Sequence, residues 1–433
     1  MTRDTGLADT VVLDLLGLHG SLGSPVIESM NFLNEVSSRF PDAVSFAAGR
    51  PYEGFFDIEE VHRYLRVYRD HLMERLGDEV LVRRTMLQYG RTKGVIHDLV
   101  ARNLLLDEGI DVDPESIVVT VGCQEALYLT VRALRRDGRD ALLSVFPCYV
   151  GVAGAAALAD MPLLPVAGSP EGIDLDDLVA AVRRARADGM RPRALYVVAD
   201  FANPSGVSLG HATRERLLAL AGELDLLILE DNPYGLFHGE EERAPTLKAL
   251  DPGGRVVYLG SFAKTGIPGA RVGYVVADQR AGNGLLADQL AKIKSMLTVN
   301  TSPIAQAVIG GKLLANGCSL RAANARETRV YQGNLRHMLD GLRERFPPES
   351  RVSWNTPEGG FFVVLDVPFP ADDELLEHSA REHRVLWTPM HHFYGDGLPR
   401  PQIRLSFSHL TPGEITIGLD RLARFVARRC EAP

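Results

Sequence analysis

Between about residues 95 and 280 the chain alternates short β-branched and aliphatic runs with longer stretches whose apolar positions recur every three or four residues. Strands are expected over residues 117–120, 141–146, 163–166, 194–200, 226–230, 255–260 and 272–276. Several are apolar without alternation, as strands covered on both faces must be. Helical stretches such as 125–136 and 212–224 sit between them, which is the signature of a sheet wound by right-handed crossovers.

Beyond about residue 282 the pattern changes to long helical segments, and 302–345 carries few stop signals. A second α+β unit follows. Strands over 361–367 and 402–407 flank a helical run at 372–383, and 413–429 closes the chain as an amphipathic helix. Pro347-Pro348 and the turn Pro357-Glu358-Gly359-Gly360 mark its entrance. The expected fold is therefore α/β: a large domain with a mostly parallel seven-stranded sheet covered by helices, plus a smaller α+β domain. The expected division is an N-terminal segment, 1–60, contributing to the small domain and substrate site; a large cofactor-binding domain, 61–310; and a small C-terminal domain, 311–433.

The chain has 433 residues, 45% of them hydrophobic and 24% charged, ordinary values for a globular protein large enough for two lobes. Its net charge of −9 argues against nucleic acid or an anionic membrane as a main partner, since both demand concentrated positive surface. Cys123, Cys148, Cys318 and Cys430 are too few and too scattered for a disulfide framework or a paired-thiolate zinc site, which fits a reducing cytoplasm. Arg3, Asp4 and Asp9, with Asp14 interrupting the apolar run at 11–18, read poorly as a secretion signal, and eighteen apolar residues nowhere run unbroken. No metal is expected: a His-Glu zinc helix is absent, and Gly310-Gly311-Lys312-Leu313 lacks the Ser/Thr of a phosphate loop.

Ligands of open α/β sheets collect beyond the carboxyl ends of the strands, and four groups of polar residues fall there. Gly122-Cys123-Gln124 opens a helix directly after a strand, where free backbone N–H groups suit an anion, although a plain βα turn uses glycine the same way. Asn203-Pro204-Ser205-Gly206 follows another strand and reads equally as an Asx-Pro turn. Asp231 and Tyr234 stand where a third strand stops. Ser261-Phe262-Ala263-Lys264 ends a fourth, with Arg271 close behind. An isolated lysine is usually a solvated surface group. One at a strand end beside a serine and an arginine, after a sheet-end aspartate and an Asn-Pro turn, is what a phosphorylated aldehyde cofactor requires.

Residues 200–206, 230–234 and 260–273, together with Ile403-Arg404-Leu405-Ser406-Phe407, resemble the class I and II aminotransferases of fold type I, and the resemblance runs from about Ser24 to the C-terminus. It implies pyridoxal 5'-phosphate as cofactor, with Lys264 bonded to its aldehyde and then carrying the substrate's α-proton. It implies Asp231 paired with the ring nitrogen, Asn203 and Tyr234 on the phenolic oxygen, and Tyr149 stacked on the ring. Gly122, Cys123, Gln124, Ser261 and Arg271 would hold the phosphate. Arg404 would clamp the substrate carboxylate in a bidentate fork. Tyr89, in Gln88-Tyr89-Gly90, matches a tyrosine that reaches the neighbouring subunit's phosphate, which implies a homodimer with shared sites. Ala263 departs from the family, which often has a second serine there.

Phe46-Ala47-Ala48-Gly49-Arg50-Pro51 resembles a segment that passes over the substrate in the aminoadipate and kynurenine aminotransferase branch, which implies Gly49 and Arg50 at the substrate. With Ser29-Met30-Asn31-Phe32-Leu33-Asn34-Glu35 it is most similar to the transaminases that make arylglycines, such as dihydroxyphenylglycine, for peptide antibiotics. Packing of these aromatics against the core is the plainer reading. Tandem His391-His392 stands where relatives have a Pro-Gly loop facing substrate, so His392, or His391, is a candidate pocket residue. The expected activity is ping-pong transfer of an amino group between an amino acid and a 2-oxo acid; a lyase, decarboxylase or cyclase using the same cofactor is the alternative. A sensor domain fused to a DNA-binding head is disfavoured by the short stretch before Ser24 and by the charge.

Overall fold

The computed structural model describes residue 11 and residues 13–239 and 243–431. Arg3, Asp4 and Asp9, which entered the reading of the N-terminus, lie outside the described residues. The seven strands are Ile117–Thr120 (β1), Asp140–Phe146 (β2), Leu163–Ala167 (β3), Arg191–Val197 (β4), Leu227–Asp231 (β5), Val256–Ser261 (β6) and Gly273–Val276 (β7). They form one sheet in the order β1-β7-β6-β5-β4-β2-β3. β7 runs antiparallel to both its neighbours, and the other adjacent pairs are parallel.

Burial explains the apolar runs. β1 and β7 are buried at every position, because helices cover both faces of the sheet. β3 lies at the edge, is half-exposed, and carries Pro165, whose missing N–H is tolerated there. β4 begins three residues earlier than the apolar pattern indicates and stops at Val197, not Asp200. Its first turn of charge is explained by Arg191 and Arg193, which both donate to the fully buried Asp140 at 3.1 Å. Its early end frees residues 198–200 to turn toward Asn203.

The segment 302–345 is broken into Pro303–Ala315, Leu320–Ala323 and Ala325–Arg345, with Gly317 and Cys318 in left-handed conformation at the first break. The helix Pro303–Ala315 crosses residue 310 and packs on Ile58–Leu76; Ala307, Ile309, Leu313 and Leu320 share one core with Tyr68 and Val119 of the large lobe. The run at 372–383 is the α-helix Asp373–His378 continued by one π-helical turn, Ser379–His383.

The smaller lobe is a four-stranded antiparallel sheet in which Phe362–Ala371 and Arg400–Ser406 are central, flanked by Ser353–Trp354 and Thr388–Pro389. The helices Ala325–Arg345 and Pro412–Glu431 cover it. The N-terminal segment joins this lobe: Val44–Ser45 pairs in parallel with Val385–Leu386, and Val36 and Phe46 are fully buried in the small-lobe core. Before it runs the helix Pro25–Arg39 (α1), which starts with proline at its first position.

Candidate active site

A cavity of about 240 Å3 opens beyond the carboxyl ends of β1, β2, β4, β5 and β6, where the two lobes and the N-terminal segment meet. Gly49, Cys123, Gln124, Tyr149, Asn203, Asp231, Tyr234, Ser261, Lys264, Arg271 and Arg404, all expected from the sequence, line it.

Lys264 lies on the four-residue helix Phe262–Thr265 that follows β6 directly. Ser261 caps that helix, its Oγ accepting from the Ala263 N–H at 3.2 Å, which fixes the direction in which Lys264 leaves the sheet. Lys264 Nζ donates to the Gly49 carbonyl at 2.7 Å. Burial, then the cationic Arg271, Arg404 and Arg50, push its ammonium down to about 8. An amine so placed loses its proton far more readily than a surface lysine and becomes a nucleophile.

Asp231 ends β5 with its carboxylate in the floor of the cavity. Tyr196 donates to Oδ2 at 2.7 Å and the Cys123 thiol to Oδ1 at 3.4 Å. Burial raises its carboxyl to about 6 against the pull of these two bonds. Tyr196 was not singled out in the sequence. A tyrosine inside a buried parallel strand must find a partner for its hydroxyl, and β4 sits in register beside β5, so that rule is the signal that could have found it.

Gly122, Cys123 and Gln124 begin the helix Gly122–Leu134, which no side chain caps. Their N–H groups are therefore open to an anion. Gly122 has φ of +72°, and a Cβ there would stand 2.7 Å from Arg271 Nη2. Gly273 allows equally close approach, since a Cβ there would meet the Cys123 N at 2.6 Å. Arg271 itself takes φ of 52°, at a cost of about 1–2 kcal/mol for a side-chain-bearing residue, and its guanidinium has no carboxylate partner among the described residues. The Gln124 side chain donates to the Gly151 carbonyl at 2.7 Å, so this residue offers its backbone to the cradle.

Arg404 is 4% exposed. Its Nη1 donates to Asn203 Oδ1 at 2.5 Å and its Nη2 to the Ala47 carbonyl at 2.8 Å and Thr388 Oγ1 at 3.2 Å. Phe362 and Phe393 sandwich it with ring centres 4.2 and 4.8 Å from the guanidinium carbon. Burial brings it down to about 10. Tyr234 is buried against Phe361 and Phe362 and faces Asn203.

Three expected residues stand apart. Tyr89 is 81% exposed and outside the cavity wall of its own chain. Arg50 is exposed and acts on Lys264 only through its charge. His392 does not face the substrate space: its Nδ1 is bonded to Ser29 Oγ at 2.7 Å and its Nε2 to Asp373 Oδ1 at 2.8 Å, so both ring nitrogens are occupied elsewhere. In its place Phe393, the next residue, reaches the cavity, along with Met30 and Leu33 of α1.

The residues present fit a phosphorylated, cationic ring aldehyde: an uncapped helix start with an arginine beside a glycine that has room for no side chain, an amine with a depressed proton affinity, and a buried carboxylate, the arginine and the carboxylate both without an ion-pair partner among the described residues. Residues 70–422 match the model of the family "Aminotransferase class I and II". The chain is 57% identical over 423 residues, 97% of its length and 96% of the relative's, to the (S)-3,5-dihydroxyphenylglycine transaminase of Amycolatopsis orientalis. It is 32% identical to the 2-aminoadipate transaminase of Thermus thermophilus, across 89% of this chain and 90% of that one. Among solved structures, the α-aminoadipate aminotransferase of Thermus thermophilus complexed with N-(5'-phosphopyridoxyl)-L-leucine superposes with a TM-score of 0.79 at 30% identity, covering 96% and 99% of the two chains. The kynurenine aminotransferase of Pyrococcus horikoshii also gives 0.79, at 28% identity, covering 95% and 96%. The chain belongs to the class I and II aminotransferases, and its cofactor is pyridoxal 5'-phosphate. No helix among the described residues is long and apolar enough to cross a membrane.

Proposed function

We propose that this aminotransferase moves the α-amino group between an arylglycine, (S)-3,5-dihydroxyphenylglycine or a close analogue, and a 2-oxo acid. The observation that carries the reading is the 57% identity, end to end, with a relative named for that substrate. An aromatic wall supports it: Phe362, Phe393 and Tyr149 surround the space beside Arg404, which suits an amino acid whose ring sits directly on the α-carbon.

Pyridoxal phosphate, when bound, supplies an aldehyde that takes up the amino group and a cationic ring that draws electrons from the α-carbon. Lys264 Nζ would hold that aldehyde between turnovers and, once released, would carry the proton of the substrate α-carbon. Asp231, kept dry and oriented by Tyr196 and Cys123, holds the ring nitrogen protonated. The N–H groups of Gly122, Cys123 and Gln124, Ser261 Oγ and Arg271 take the phosphate. Arg404 holds the substrate carboxylate, with Asn203 fixing the plane of its guanidinium and releasing an N–H to the substrate.

The reading includes a cytoplasmic homodimer with shared sites, in which Tyr89 reaches the partner's phosphate. Leu87, Tyr89, Met296 and Val299 are apolar and at least half-exposed, and Gly90, next to Tyr89, approaches Asn300. The test is a donor screen on purified enzyme, following loss of the cofactor's long-wavelength absorbance. Dihydroxyphenylglycine and hydroxyphenylglycine should show the highest kcat/KM. A higher value for 2-aminoadipate or kynurenine, with arylglycines rejected, overturns the substrate assignment.

A further inference from the structure

One cluster of ionisable groups lies outside the active cavity and takes no part in the reaction. The short turn Met390–Phe393 presents His391 and His392 to Asp373, at the start of the helix Asp373–His378. His392 Nε2 is 2.8 Å from Asp373 Oδ1, and His391 Nε2 is 3.5 Å from the same oxygen. The two rings are 4.2 Å apart, and one nitrogen from each lies with a carboxylate oxygen inside a 4.8 Å span. Ligand atoms on a common tetrahedral zinc ion are separated by roughly 3.4 Å, so these three groups are already at coordination spacing.

His392 is satisfied without an ion, between Ser29 and Asp373. His391 is not. It is 9% exposed, and its Nε2, the nitrogen that faces Asp373, makes no hydrogen bond among the described residues. That nitrogen is therefore available to a ligand seated beside Asp373. The Asp373 side chain is 45% exposed, which gives an ion a path in and room for water. Ser29 already supplies the outer oxygen that a metal-bound imidazole uses to fix its ring.

We propose that Asp373, His391 and His392 form a binding site for a divalent transition-metal ion, Zn2+ by the two imidazoles and one carboxylate, completed by water on the exposed side of Asp373. The site fastens the cavity wall. His392 is tied through Ser29 to α1, whose Met30 and Leu33 line the active cavity, and the following residue, Phe393, lies 4.8 Å from the Arg404 guanidinium. These are positioning residues, remote from the reacting atoms.

The holoenzyme, dialysed against a chelator, is titrated with ZnCl2 by calorimetry, and Co2+ is used in parallel for its visible spectrum. One ion per chain is expected, with nitrogen-and-oxygen tetrahedral or five-coordinate Co2+ bands, and a Zn2+-dependent rise of the thermal midpoint. H391Q and D373N should each weaken binding at least tenfold and abolish that rise. The chain carries 12 histidines, so an ion bound equally well by wild type and both variants sits elsewhere and overturns the proposal, as does the absence of binding. Asp373 is at an exposed helix start, so D373N decides the matter even where H391Q fails to fold.

Discussion

Around Asp200 the large lobe buries charges in matched pairs. Arg214 donates to Asp200 Oδ1 at 2.5 Å, and Arg243 donates to Asp200 Oδ2 at 2.9 Å and to Glu108 Oε2 at 2.8 Å, with all four side chains 1–7% exposed. Beyond the carboxyl ends of its strands, Lys264 and Arg271 of this lobe meet Arg404 of the small lobe, and among the described residues none of the three has a carboxylate partner. Of the three, Arg404 is buried, Lys264 half-buried and Arg271 exposed; burying an unpaired cation costs several kcal/mol, so a fold keeps one such as Arg404 only where something else repays it. The paired cluster serves the fold, and the unpaired one is reserved for the anionic groups of ligands: a phosphate at Arg271 and a carboxylate at Arg404.

That contrast can be broken at several points. The largest expected effect is Lys264→Ala, which should lower kcat by at least about 10^4-fold, the upper end of what a proton-transferring group contributes, with the fold intact by circular dichroism. Activity within tenfold of wild type would remove the lysine from the mechanism. Arg214→Met should destabilise the protein by about 3–5 kcal/mol in denaturant unfolding, because it strands Asp200 beside a single arginine, and should leave KM for the amino acid unchanged. A cost below about 1 kcal/mol would mean that the pairing does not carry the stability.

Arg404→Ala should lower kcat/KM by an amount equivalent to about 2–5 kcal/mol of lost carboxylate binding, yet leave unfolding free energy equal or higher, since a desolvated cation is gone. Loss of stability instead would place Arg404 with the structural cluster. Tyr196→Phe should weaken cofactor binding by about 1.5–3 kcal/mol, measured by equilibrium dialysis, because Asp231 loses a hydrogen bond to its charged form. A further effect is on pH. Lys264 has its folded value near 8 and its unfolded value at 10.5, so between those limits the unfolded state binds more protons, and stability of the cofactor-free protein rises with pH. Lys264→Met should flatten that rise in urea unfolding series taken across the window.

Much of the site could be read from sequence because strand ends are local features. Asp231 and Ser261 are terminal residues of β5 and β6, Gly122 follows β1, and Lys264 sits one turn beyond β6, so apolar runs and their abrupt ends position them. His392 was misplaced because nothing in Thr388-Pro389-Met390-His391-His392-Phe393 tells which of three consecutive side chains turns inward. The 3-10 turn sends Phe393 to the cavity and both imidazoles to Asp373. Tyr196 escaped notice inside an apolar strand.

The order of apolar runs and their polar ends already determined the sheet and placed Asp231 and Lys264 at its strand ends, because period and propensity act over a few residues at a time, while the roles of these two and of Arg404 came from the resemblance to the aminotransferases. Which partner each of them has was decided by tertiary structure alone. Gly49 at Lys264, Ala47 at Arg404, and Ser29 at His392 all come from segments more than two hundred residues away in sequence. Such pairings depend on how two lobes and an N-terminal strand close on one another, a matter of buried surface and register between distant elements, and no local pattern encodes them.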